Sequence, residues 1–131
     1  AMAQDGDEIE VWGNGLQTRS FLHVNECVEA VIRLMKSNFI GPVNIGSDEM
    51  VSINRLADIA IKISNKNLKI LNLEGQEFID KYGFKTPLGV KGRNSHNKLY
   101  IEKVGWEPSQ SLEDGMISTY SWIEKQVNKK K

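Results

Sequence analysis

Polar and apolar residues alternate through Glu8-Ile9-Glu10-Val11-Trp12, and Gly13-Asn14-Gly15 comes directly after, the pattern of a strand running into a tight turn that needs positive φ. Thr18 to Val24 resumes as a second short strand. From Asn25, a capping residue type, Cys27, Val28, Val31, Ile32 and Met35 fall on one face of a helix that closes at Lys36 and Ser37. Gly41 to Gly46 predicts a brief buried strand between breakers. Ser52 then caps a helix carrying Ile53, Leu56, Ala57, Ala60 and Ile63, which stops near Asn65.

Leu68 to Leu73 alternates again and predicts a further strand. Residues 74–98 hold Gly83, Pro87, Gly89 and Gly92 and no long periodic segment, so they predict an extended surface loop with one short helix over Gln76 to Tyr82. Asn97 to Val104 suits a short helix closed by Gly105, with Trp106 anchoring the segment after it and Pro108 preventing continuation. Ser111 and Asp114 form a capping box for a last helix whose apolar stripe is Leu112, Met116, Ile117, Tyr120, Ile123 and Val127. The fold class is therefore α/β, an α+β lobe with a small sheet of short strands and three to four helices. It occupies residues 8–127, between a disordered start at 1–7 and a frayed basic tail at 128–131. Ala1-Met2-Ala3 has the look of a cloning remnant.

Composition narrows the classes. Leu, Ile, Val and Phe supply 36 of the 131 residues, enough apolar surface for one folded domain. Seventeen bases balance seventeen acids, so no global field draws the chain to nucleic acid or to an anionic membrane. The charge is uneven: residues 1–58 carry nine acids and four bases, and residues 59–131 eight acids and thirteen bases. Cys27 is the one cysteine, which excludes an internal disulfide and fits a reducing cytoplasmic setting; on its helix face it reads as a small buried hydrophobe.

Reactive constellations are missing. Neither G-x-G-x-x-G nor G-x-x-x-x-G-K-[ST] occurs, His23 and His96 lie far apart with no carboxylates at metal-ligand spacing, and no Gly-x-Ser-x-Gly presents a nucleophile. Two segments carry a positive signal. In Gly15-Leu16-Gln17-Thr18-Arg19-Ser20 a glycine-bearing turn delivers an arginine at a strand start, where its planar fork of donors suits a diphosphate; the alternative is a solvated hairpin arginine. Lys91-Gly92-Arg93-Asn94-Ser95-His96-Asn97 is basic and amide-rich without apolar residues, suited to phosphate, ribose or sugar hydroxyls, or else an ordinary polar loop.

The run Arg19-Ser20-Phe21-Leu22-His23-Val24, Arg93 in its loop and Gly105-Trp106-Glu107-Pro108 together resemble the nucleotide-sugar epimerase and dehydratase branch of the extended short-chain dehydrogenases, over nearly the whole chain. The resemblance implies the C-terminal, substrate-binding part of such an enzyme, with a nucleotide-diphosphate sugar as ligand and NAD as the parent's cofactor rather than this chain's; a lobe cut from its partner exposes apolar surface, so the chain is expected to self-associate as a homo-oligomer. It makes Arg19 and Arg93 phosphate contacts, with Gln17, Asn94 and Ser95 as weaker substrate contacts. Trp12, Trp106 and Trp122 are core or interface anchors rather than stacking platforms.

The family's nucleotide-binding Rossmann half carries a Gly-rich loop and a Tyr-x-x-x-Lys pair. Here Tyr82, Tyr100 and Tyr120 are followed four residues on by Thr86, Val104 and Glu124, so the pair is absent and no catalytic residue is assigned. The chain departs from the family pattern at His96, where an acid is expected, and in residues 74–86, which read as an insertion. It is thus expected to be a fragment or truncated form that binds substrate without catalysing a reaction alone. A stand-alone nucleotide-sugar binding or regulatory module that completes a separately encoded Rossmann half, and a ligand-free vestigial fold, are the other readings.

Overall fold

The computed structural model describes residues 1–87 and 89–129. Strand β1 (Glu8–Trp12) pairs in parallel with β4 (Lys69–Leu73), Val11 opposite Asn72. A second sheet has β2 (Thr18–Ser20) in its centre, antiparallel to β3 (Met50–Ser52) and parallel to β5 (Gly92–Arg93). Helices α1 (Val24–Lys36), α2 (Ile53–Ser64), α3 (Gly75–Tyr82), α4 (Lys98–Val104) and α5 (Leu112–Lys129) complete the fold. Among the described residues there are thus five helices, each at a segment whose spacing predicts one. None of them is long and apolar enough to cross a membrane.

The core is small: Val11, Ala30, Ala57, Ile59, Leu73, Phe78 and Tyr100 are buried. Tyr100 is the centre of one half. Its hydroxyl donates to the Ala30 carbonyl at 2.9 Å and its ring meets Trp106 edge-on at 6.2 Å, which ties α4 to α1. Burial pushes the Tyr100 hydroxyl pKa up, so the phenol stays a neutral donor. Phe78 centres the other half, within a cluster of Trp12, Tyr82 and Phe84 whose ring centroids lie 4.8–6.1 Å apart. This cluster is what the 74–86 segment contributes: it is a helix seated on β1, with Glu10 receiving Lys81, the Tyr82 hydroxyl and the Trp12 indole N–H.

Several elements differ from expectation for identifiable reasons. The second strand ends at Ser20 rather than Val24, because α1 starts earlier: His23, not Asn25, is the N-cap, its Nδ1 accepting from the Asn25 N–H at 3.3 Å. Residues 41–46 form no strand among the described residues; Met50–Ser52 pairs with β2 instead. Ser52 and Ser111 cap as their positions imply, and Gly105 closes α4 at φ 71°.

The largest difference lies on α1. Its predicted core face, Cys27, Val28, Val31, Ile32 and Met35, is exposed, and Cys27 is a free, exposed thiol rather than a buried hydrophobe. The helix instead turns Ala30 and Leu34 inward, because Tyr100 bonds to Ala30 and Arg33 lies over Trp106 at 5.7 Å.

At the N-terminus Gly6 N–H donates to the Asn67 carbonyl at 2.8 Å, Asp5 accepts from the Asn67 N–H at 2.9 Å, and Lys66 Nζ reaches the Ala1 and Ala3 carbonyls. Helix α5 continues through Asn128 and Lys129, which the basic-tail reading placed outside the lobe; Lys130 and Lys131 lie outside the described residues.

Lys81 and the Tyr82 hydroxyl hold the Glu10 carboxyl below its ordinary value of 4.5, and Glu10 raises Lys81 above 10.5. A lowered acid stabilises the fold above its unfolded pKa and loses that contribution as pH falls through the lowered value. A raised base loses its contribution only as pH rises through the raised value, so the pair contributes throughout the neutral range. Melting curves from pH 7 down to about pH 3 should fall less steeply for Glu10→Gln than for wild type. Parallel pH profiles would show that the pair does not help hold α3 on β1.

Candidate functional site

The chain leaves β1 through a turn whose glycines adopt left-handed backbone, Gly13 at φ 81° and Gly15 at φ 68°. Gly13 N–H donates to the Leu73 carbonyl at 2.8 Å, and Asn54 N–H at the start of α2 donates to the Gly15 carbonyl at 3.1 Å. Ile53 N–H takes the Gln17 carbonyl and Thr18 N–H the Lys91 carbonyl, at 3.1 and 2.8 Å. The backbone entering β2 is thus fixed on both sides before Arg19 is reached. Arg19 stands opposite Val51 on one neighbouring strand and opposite Arg93 on the other.

Register decides what this means. Partners in a parallel ladder point to the same face of the sheet, and neighbouring strands lie about 4.8 Å apart, so the two arginines leave the sheet side by side. Arg19 is half-buried and its Nη1 donates to the Thr18 carbonyl at 2.6 Å; Arg93 is exposed.

The Arg93 loop is fastened by Asn97, the one buried polar residue among those described. Asn97 Nδ2 donates to the Gly46 carbonyl at 2.9 Å, its Oδ1 accepts from Ser95 Oγ at 2.5 Å, and Asn44 Nδ2 reaches the His96 carbonyl at 3.3 Å. A Cβ on Gly46 would overlap Ser95 and lie 2.7 Å from its Oγ, so the 44–47 segment can approach this closely only with glycine there. Between the two segments and β2 opens a cleft of about 360 Å³ lined by Arg19, Arg93, Asn94, Ser95 and residues 44–47, with Ser20 and Leu22. No Asp or Glu lines it. Two guanidinium groups without a lining carboxylate suit a small, multiply charged anion that can accept from both forks.

Of the five residues expected to touch substrate, four meet in this cleft: Arg19, Arg93, Asn94 and Ser95. Gln17 does not; its carbonyl serves α2 and its side chain is not part of the lining. Ser95 is committed through its hydroxyl to Asn97, so it shapes the loop. His96 is exposed and contributes its carbonyl. Trp12 and Trp106 are cluster members as expected, whereas Trp122 is exposed on α5. Asn97 and the 44–47 wall escape a linear reading, because both act through contacts about fifty residues apart in sequence. Asn97 has only its amide side chain, ahead of a helix, to mark it.

Residues 1–46 match the NAD dependent epimerase/dehydratase family. Over 125 residues the chain is 50% identical to GDP-mannose 3,5-epimerase 1 of Oryza sativa subsp. indica and 49% identical to GDP-mannose 3,5-epimerase of Arabidopsis thaliana, in each case over 95% of this chain and 30% of the relative. The chain is similar to GDP-mannose 3,5-epimerases and, over residues 1–46, to the NAD dependent epimerase/dehydratase family. It spans about 30% of the length of these curated relatives. Its fold is shared with UDP-glucose 4-epimerase of Thermotoga maritima, solved with UDP-glucose, at a TM-score of 0.76 and 23% identity over 92% of this chain and 36% of that one.

Epimerases of this family depend on NAD, so a fit for a dinucleotide can be sought here. The turn after β1 that holds two left-handed glycines, Gly13 to Gly15, does not fit. It leads into β2 rather than a helix, its Gly15 is buried, its Gly13 N–H is committed to the Leu73 carbonyl and the Leu16 N–H to Asn14 Oδ1, so it is not a helix N-terminus presenting a row of N–H groups to a pyrophosphate. No group of three or more potential metal ligands occurs among the described residues.

Gly46→Ala should disturb the wall of the arginine cleft. The added methyl must displace Ser95, costing about 1–3 kcal/mol of stability by overpacking, and thermal melts should show the loss. Wild-type stability in this variant would mean that the 44–47 wall is not pressed against the Arg93 loop.

Proposed function

We propose that this chain is the substrate-holding part of an NAD-dependent nucleotide-sugar epimerase, with the ligand's diphosphate seated between Arg19 and Arg93. The observation that carries the reading is the register of β2 and β5, which places two arginines on one sheet face at a cleft without carboxylates. A diphosphate offers oxygens for two bidentate contacts and neutralises both guanidinium charges. Asn94 supplies amide contacts at the same rim. Identity near 50% to GDP-mannose 3,5-epimerases supports a GDP-hexose of the mannose type as the ligand.

In this reading the chain positions substrate and performs no turnover alone. Holding a diphosphate fixes one end of the molecule and leaves the sugar to be presented to reactive groups elsewhere, which is a large share of catalysis but not the bond-making part. The redox and proton-transfer groups come from a separate nucleotide-binding half. The uncovered stripe of α1 supports such a partner: Val24 is 65% and Met35 80% exposed, with Val28 and Val31 between them on the same face. The same stripe supports self-association of the chain when it stands by itself.

Calorimetry with GDP-mannose tests the assignment. Wild type should bind it and show no heat with free mannose, and Arg19→Ala should weaken binding about 10- to 100-fold, the loss of charge-assisted bonds worth about 1.5–3 kcal/mol. Equal affinity in wild type and Arg19→Ala would remove the diphosphate from this cleft.

A further inference from the structure

The turn that delivers Arg19 is built around one side chain outside the cleft. Asn54, the second residue of α2, donates from Nδ2 to the Asn14 carbonyl at 3.0 Å and from its backbone N–H to the Gly15 carbonyl at 3.1 Å. Its Oδ1 accepts from Asn72 Nδ2 at 3.0 Å, and Asn72 Nδ2 also reaches the Gly13 carbonyl at 3.2 Å. Three successive turn carbonyls are therefore held by Asn54 and its partner on β4. The fit is close as well as polar, because a Cβ on Gly15 would overlap the Asn54 carboxamide oxygen and lie 2.8 Å from Nδ2. Within the turn, Leu16 N–H is held by Asn14 Oδ1 at 3.0 Å, so the path from Asn54 to β2 has little freedom left in it.

We infer that Asn54 is a positioning residue for Arg19: its carboxamide fixes the 13–15 turn and so sets where the Arg19 guanidinium enters the cleft. The inference deepens the proposed function and rests on that reading for its ligand. Asn54 itself lies away from the cleft, and Arg93 reaches the site on β5 from the opposite side of β2, from a segment fastened by Asn97 instead. Loss of Asn54 should consequently act through one arginine and not the other.

The experiment is a pair of double-mutant cycles read by calorimetry with inorganic pyrophosphate, at a temperature where circular dichroism shows each variant folded. Asn54→Ala should weaken binding about tenfold in wild type and again in Arg93→Ala, and should add nothing in Arg19→Ala. Asn54→Ser serves in the same cycles if the alanine variant does not fold. A tenfold loss that persists when Arg19 is absent, or unchanged affinity in a folded variant, overturns the inference. Absence of any pyrophosphate binding by wild type would instead refute the diphosphate reading. The positioning role is then judged from the Arg19 Nε–Hε NMR signal, which should move in Asn54→Ala while that of Arg93 stays; an unmoved Arg19 signal overturns it.

Discussion

Two like charges on neighbouring strands repel. The β2–β5 ladder nevertheless places Arg19 directly beside Arg93. Two residue pairs of a parallel ladder contribute little to hold such an arrangement. What keeps it is everything around it: the Lys91 carbonyl that receives Thr18 N–H, the β3 strand on the other side of β2, and the Asn97 amide that binds the Arg93 loop to Gly46. An anion between the guanidinium groups would convert the repulsion into two favourable contacts, so the same geometry that weakens the empty lobe strengthens the occupied one.

This arrangement divides the molecule into a scaffold and a rim. Tyr100 under α1 and Phe78 under β1 are fully enclosed, and the elements they join carry few residues at the cleft. The rim consists of short or irregular segments, 13–20, 41–49 and 89–97, held by amide side chains rather than by apolar burial. Amide hydrogen bonds are directional, so they fix backbone where no hydrophobic core is available to do it. The epimerase relatives are about three times as long as this chain, and the bare apolar stripe of α1 marks where the scaffold lacks a neighbour among the described residues.

Local signals were legible in the sequence, and long-range ones were not. Ser52 and Ser111 announce their helices because a cap is settled within four residues, and Gly105 announces a helix end for the same reason. The face that α1 buries could not be read from periodicity: its apolar stripe points away from Tyr100, and only a partner seventy residues away in sequence decides that Ala30 turns inward. Arg19 and Arg93 were recognisable one at a time as phosphate-seeking residues in glycine-rich contexts. Their adjacency was not, since register between strands 74 positions apart is a property of the packed sheet. Asn54 carried no signal and Asn97 only that of a polar loop ahead of a helix, being ordinary amides until the turn and loop they hold are in place.

The central claim is that Arg19 and Arg93 act on one ligand as a single site, and a double-mutant cycle with GDP measures that directly. Contact through a shared diphosphate predicts that the double alanine variant loses clearly less affinity than the two single losses combined, by an interaction energy of about 1 kcal/mol or more. Strictly additive losses, or no loss from either substitution, would mean that the two arginines do not share a ligand and that the cleft between them is not the diphosphate site.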